Sequence, residues 1–205
     1  MVMSEWNISN AVSGAVGGTT AMVVDVVKEM RAETVTVGCE MGGTISIASA
    51  SGTYTATFDN CASLMETPGG VGISYSVTGS VVITGTTVTY NDLTVLWVCI
   101  SGGGDTHTCH LSGESTGAGD SVTYNLNGYC GSTNFTHTGT MSGTLRDSHF
   151  IINGSAVYTI TGSSSGRIVR CTYSDFDVTT ATCEDYAGAC GLTAATACSS
   201  DCPSS

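Results

Sequence analysis

GISYSVTGSVVITGTTVTYNDLTVLWVC, residues 72–99, carries the reading of the fold. Ile73, Tyr75, Val77, Val81 and Ile83 keep one parity straight through Gly79, which predicts a single long strand over 72–84. At about 3.3 Å per residue such a strand spans roughly 40 Å. Gly85-Thr86 then turns the chain. Val88 and Tyr90 share one parity, whereas Leu93, Val95 and Trp97 take the other. The switch falls at Asn91-Asp92, where a β-bulge is the simplest cause, because one extra residue reverses the face that every later side chain meets.

The same period of two recurs at Tyr54, Ala56 and Phe58, at Val122, Tyr124 and Leu126, and at Ala156, Tyr158 and Ile160. GAGD at 117–120, RDS at 146–148 and SSSG at 163–166 punctuate the strands. About nine or ten strands with short loops predict an all-β protein, an antiparallel sandwich or barrel. The exception is residues 5–32. There Ile8, Val12, Val16, Met22, Val23, Val26 and Met30 recur at helical steps, with Ser4 placed to cap the start. We expect this amphipathic helix, within an N-terminal region at 1–38, to pack on the β domain. Contact with another subunit or a lipid interface is the alternative for its apolar stripe.

The chain has 205 residues and ten cysteines. An even, dispersed set of this size predicts disulfides and an oxidising compartment, extracellular or at the cell surface. Seventeen acids face five bases. That balance disfavours nucleic acid and anionic membrane surfaces as partners. No apolar run is long enough for a transmembrane segment. The first residues lack the basic and apolar regions of a signal peptide, so an exported chain is expected to have lost a leader before this numbering begins.

CEMGGTISIASASGTYTATFDNC at 39–61 resembles CHLSGESTGAGDSVTYNLNGYC at 109–130. Both open and close on Cys, turn near the middle on Gly and Ser, and carry a Tyr-bearing strand. Cys39, Cys61 and Cys99 precede Cys109, Cys130 and Cys171 by 70, 69 and 72 residues. We read a duplicated unit of about 70 residues, with repeats at 39–108 and 109–182 and a Cys-rich tail at 183–205. Equivalent cysteines favour Cys39–Cys61 and Cys109–Cys130, leaving Cys99 for Cys171 or the tail. The rival pairing joins Cys99 to Cys109 and Cys130 to Cys171. Cys183, Cys190, Cys198 and Cys202 are expected to form two bridges within the tail, or a cross-link to a neighbouring chain. The parities of Ile47 and Tyr54 conflict with a Cys39–Cys61 staple unless one side holds an extra residue, and Gly42-Gly43 is the expected bulge.

No catalytic or cofactor-binding residue stands out. THTCH groups His107, Cys109 and His110, but a zinc site needs a fourth ligand and a free Cys109. GSSSG at 162–166 matches the nucleophile-elbow spacing around Ser164, yet strands are predicted on both sides where the elbow needs a helix after it. His137 and His149 flank a turn and could face each other, with no acid fixed beside them. Asp105, Glu114, Asp120, Asp175 and Asp177 are candidate calcium ligands, without the EF-hand spacing. Asn7, Asn134 and Asn153 open N-x-S/T sequons and are the candidate glycosylation sites.

With CEMGGT, TATFDNC and the Gly-rich strands after them, the chain resembles uncharacterised secreted and lipoprotein-like Cys- and Gly-rich β proteins of environmental bacteria. The resemblance implies an envelope or extracellular setting and no known activity. A lipobox cysteine is lacking. The leading functional expectation is a non-enzymatic structural protein of the cell exterior, self-associating into a fibre or surface layer, with no metal or cofactor. The alternative is an envelope carrier holding an apolar ligand in a barrel cavity.

Overall fold

The computed structural model describes residues 34–66, 72–99, 106–162 and 166–193. The N-terminal helix expected over 5–32 lies outside the described residues, as do Asn7, Asp105, Ser164, Cys198 and Cys202. Within them run β1 (Thr34–Gly38), β2 (Thr44–Ala50), β3 (Thr53–Glu66), β4 (Gly72–Thr84) and β5 (Thr87–Cys99). There follow β6 (Thr106–Ala118), β7 (Ser121–Cys130), β8 (Thr133–Arg146), β9 (His149–Thr161), β10 (Arg167–Asp177) and a helix, α1 (Cys183–Cys190).

All ten strands form one antiparallel sheet in sequence order, each beside its chain neighbours. The all-β expectation holds, while the sheet is neither closed nor split in two. Five hairpins explain the meander. The connections at 51–52, 85–86, 119–120, 131–132 and 147–148 are two residues each, too short for anything except an adjacent antiparallel partner. Ser51-Gly52 and Asp147-Ser148 have positive φ at both positions, the type I′ geometry that matches strand twist. No crossover is left to build the second layer of a sandwich.

Three bulges of one design bend the sheet. Asp59-Asn60 on β3 oppose Thr78 alone, Asn91-Asp92 on β5 oppose Ser112 alone, and Ser174-Asp175 on β10 oppose Asn153 alone. The second residue of each pair is left-handed: Asn60 at φ 48°, Asp92 at 47° and Asp175 at 45°. Asn and Asp tolerate that region better than other side-chain-bearing residues. The lone opposing residue always precedes a positive-φ glycine (Gly79, Gly113 or Gly154) and hydrogen-bonds across the bulge. Thr78 donates to Asn60 Oδ1 at 3.2 Å, Ser112 Oγ accepts from the Asp92 amide at 3.2 Å, and Asn153 Oδ1 accepts from the Asp175 amide at 2.8 Å. The bulge expected at Asn91-Asp92 is therefore one of three. Gly42-Gly43, both at positive φ, also makes an irregular turn, with Ala62 donating to the Gly42 carbonyl.

The register puts Ile45, Phe58, Val81, Tyr90, Leu111, Leu126, Phe135, Tyr158 and Val169 on one face, where they belong to a continuous buried cluster. Alternate residues face outward, so the binary pattern is honoured on every long strand.

Disulfides join Cys39 to Cys61, Cys109 to Cys130, and Cys171 to Cys190. The rival set built on Cys99–Cys109 and Cys130–Cys171 does not occur. Cys171 is bonded to Cys190 and not to Cys99, so the tail does not keep both bridges to itself: Cys190 crosses to β10. That bridge docks α1, which the weak periodicity of the tail did not predict. Thr182 and Asp185 form a reciprocal capping box, and Gly191 closes the helix in a left-handed conformation. Ala187 and Cys190 are buried against the sheet. The repeat offset does not preserve strand count: Cys99 on β5 lies two strands after Cys61 on β3, whereas Cys171 on β10 lies three strands after Cys130 on β7. The boundary expected at 108/109 falls inside β6.

Candidate functional site: an apolar pocket on the inner face

A pocket of about 430 Å³ opens on the inner face where β7, β8 and β9 lie side by side. Val122, Leu126, Met141, Phe150 and Ile152 give it apolar walls, with Asp120 and Ser142 beside them. Glycine makes the room. Gly139 lies opposite Tyr124, and a Cβ there would meet the Tyr124 hydroxyl at 2.5 Å. Gly143 similarly accepts the Phe150 ring, whose Cζ would lie 2.5 Å from a Cβ. Aromatic rings can thus lie against bare backbone, leaving space above the strands.

Two polar side chains line the pocket with their polar atoms buried. His137 and Tyr124 are 3% and 7% exposed. His137 packs between aromatic rings, 4.0 Å from Tyr158 in a stacked arrangement and 4.5 Å from Tyr124 in a tilted one. Neither ring nitrogen of His137, nor the Tyr124 hydroxyl, has a hydrogen-bond partner among the described residues. Elsewhere on the face, the Tyr90 hydroxyl lies 3.3 Å from Ser115 Oγ. Leaving such a group unmatched costs about 1–3 kcal/mol.

Burial pushes the His137 imidazole down to about 3, so at neutral pH it is uncharged, with one N–H and one bare nitrogen. Burial, and secondarily Tyr158, pushes the Tyr124 phenol well above its ordinary range, so it stays protonated. The pair therefore offers neutral donors and acceptors within a dry wall. None of the lining residues is Lys or Arg.

The residues singled out by sequence go elsewhere. Cys109 is bonded to Cys130, and His107 and His110 lie at positions of opposite parity on β6, so THTCH does not assemble a metal site. His110 stacks on Tyr129 at 4.4 Å and lies 3.4 Å from Asp92. His137 and His149 do not face each other: His137 pairs with Tyr158 and His149 with Arg146 at the hairpin turn. His149 Nδ1 instead meets Asp177 Oδ2 at 2.6 Å. Asp177 also accepts from the Thr180 hydroxyl and Thr179 amide, and Thr180 followed by His149 holds its carboxyl down at about 2. Asp175 is spent on the third bulge. No group of three or more metal-binding side chains occurs among the described residues. Asn134 is exposed on β8, while the Asn153 side chain is engaged with Asp175. The sequence places Tyr124 on a strand and singles out His137, but their meeting depends on the β7–β8 register, which the two-residue turn at Gly131-Ser132 sets.

No helix among the described residues is long and apolar enough to cross a membrane. No family model, curated protein or solved structure matches the chain, so its reading rests on its own geometry.

Proposed function

We propose that this chain is a non-enzymatic extracellular protein that holds a small, mainly apolar ligand in the pocket between β7, β8 and β9. One observation carries the reading: an apolar pocket of about 430 Å³ with two buried, unmatched polar side chains at its wall. Small-molecule sites commonly have that size and that combination of apolar lining with few converging polar groups. The three disulfides are compatible with an extracellular setting. Native mass spectrometry of protein purified from its producing cells tests the reading. A stoichiometric adduct, released on denaturation, is expected. Ligand-free protein that also takes up no added amphiphile would contradict it.

The fibre or surface-layer reading is second. It draws on Leu145 and Phe150, which pair at the end of β8 and β9 and are 74% and 46% exposed. The sheet edges favour it less. β1 has five residues, and β10 carries Arg167, Arg170, Asp175 and a bulge, devices that oppose open-ended strand addition. Filaments in negative stain would restore it.

A further inference from the structure

We infer that the ligand is a cationic amphiphile that enters the pocket tail first, with an aliphatic chain against the apolar wall and an ammonium head beside Asp120. This rests on the pocket reading above and adds the chemistry of each end. Four lining side chains carry polar groups: Asp120, Tyr124, His137 and Ser142. The Tyr124 hydroxyl and both His137 nitrogens are buried, so these two residues turn ring carbon to the pocket. The Ser142 hydroxyl donates to the Asn153 carbonyl at 3.4 Å. That leaves the Asp120 carboxylate as the polar side-chain group a ligand can meet. Asp120 is exposed, in the two-residue turn between β6 and β7.

The two ends follow from this division. Val122, Leu126, Met141, Phe150 and Ile152 offer carbon and sulfur, so a polar group drawn among them would lose its hydration without gaining a partner. Each methylene buried there instead tightens binding about fourfold. At the rim, a carboxylate head would face Asp120 with no Lys or Arg in the lining to offset it, on a chain of net charge −12. Arg146 is already 3.9 Å from Asp175. An ammonium head complements Asp120 and stays hydrated. Because this ion pair is exposed, it selects the head by a few-fold only, and salt screens it.

The test uses the full chain and displacement of Nile red fluorescence at neutral pH and low ionic strength. The competitors are decylammonium, octylammonium, decanol, decanoate and 10-amino-1-decanol. Decylammonium is expected to bind about fifteenfold more tightly than octylammonium, the ratio of two buried methylenes. It should exceed decanol by about threefold, and decanol should exceed decanoate by a similar ratio. 10-Amino-1-decanol carries a hydroxyl where the tail is buried, so it should bind at least about tenfold more weakly than decylammonium. Asp120→Asn should bring the three ten-carbon heads within about twofold of one another, while its unchanged affinity for decanol shows that the pocket is still folded. Decanoate binding as tightly as decylammonium, or a ranking that survives Asp120→Asn, would overturn the inference. So would 10-amino-1-decanol matching decylammonium, since the tail would then lie outside. In each of these cases saturable displacement by decanol leaves the pocket reading intact. Failure of Nile red and every competitor to bind would remove both.

Discussion

His137 shows how a single residue can be costly to the fold and useful to a site. An imidazole buried between Tyr124 and Tyr158 without a hydrogen-bond partner is a debt to stability. We predict that His137→Phe stabilises the ligand-free protein by about 1–3 kcal/mol in denaturant titrations at neutral pH. The pH dependence follows from the direction of the shift. Below its unfolded value of about 6.5, the unfolded chain takes up a proton that the folded site refuses. Stability should therefore fall as pH drops from about 6.5 toward about 3, by at most about 1.4 kcal/mol per pH unit from this group. His137→Phe should flatten that part of the curve. Tyr124, whose phenol is pushed up by burial, stays neutral across this window. Asp177 acts lower: its depressed value makes its contribution full above about 4 and lost as pH falls through about 2. A slope unchanged by His137→Phe would count against the buried neutral imidazole.

The bulges make a second prediction at this scale. Gly154 has φ +143°, and a Cβ there would lie 2.2 Å from the Thr140 carbonyl oxygen. Gly154→Ala should cost at least about 2 kcal/mol by thermal or chemical unfolding. Gly119→Ala is the control: its φ is +60° with nothing within 4 Å, so about 1 kcal/mol is expected. Equal losses would show that the Asp175 bulge tolerates a side chain.

Among the elements, the strands were the most legible in sequence. Parity through Gly79 predicted β4, and the parity change at Asn91-Asp92 located the middle bulge. The other two bulges use the same Asn or Asp, but the glycine completing each lies about twenty residues away on another strand, so nothing local marks the pair. Closure was not legible either. Two-residue turns exclude a second layer only once their length is known, and alternation alone suits a sandwich, barrel or open meander equally. α1 was missed because CEDYAGAC is short and mostly small or acidic, and it is held by its capping box and the bridge to β10. Removing that bridge by Cys171→Ala with Cys190→Ala should cost about 2–4 kcal/mol. In hydrogen exchange, protection over 184–190 should fall while β2–β5 keep theirs. Undiminished protection in α1 would show that packing of Ala187 and Tyr186 suffices to dock it.

At the scale of the molecule, ten strands in sequence order place the pocket where no single segment could announce it. Its walls come from three strands, its depth from Gly139 and Gly143, and its polar end from residues on neighbouring strands. The disulfides tie three points along this sheet: the entry to β2, the β6–β7 pair and the docking of α1. Three such bridges are compatible with an extracellular setting. The central claim is that this cavity binds a ligand. A titration of isotopically labelled protein with decanol, followed by amide and methyl NMR, tests it most directly. The account predicts saturable shifts concentrated at Val122, Leu126, Met141 and Ile152, with the His137 ring signals moving in step. Shifts that never saturate, or that fall on the outer face of the sheet, would contradict it.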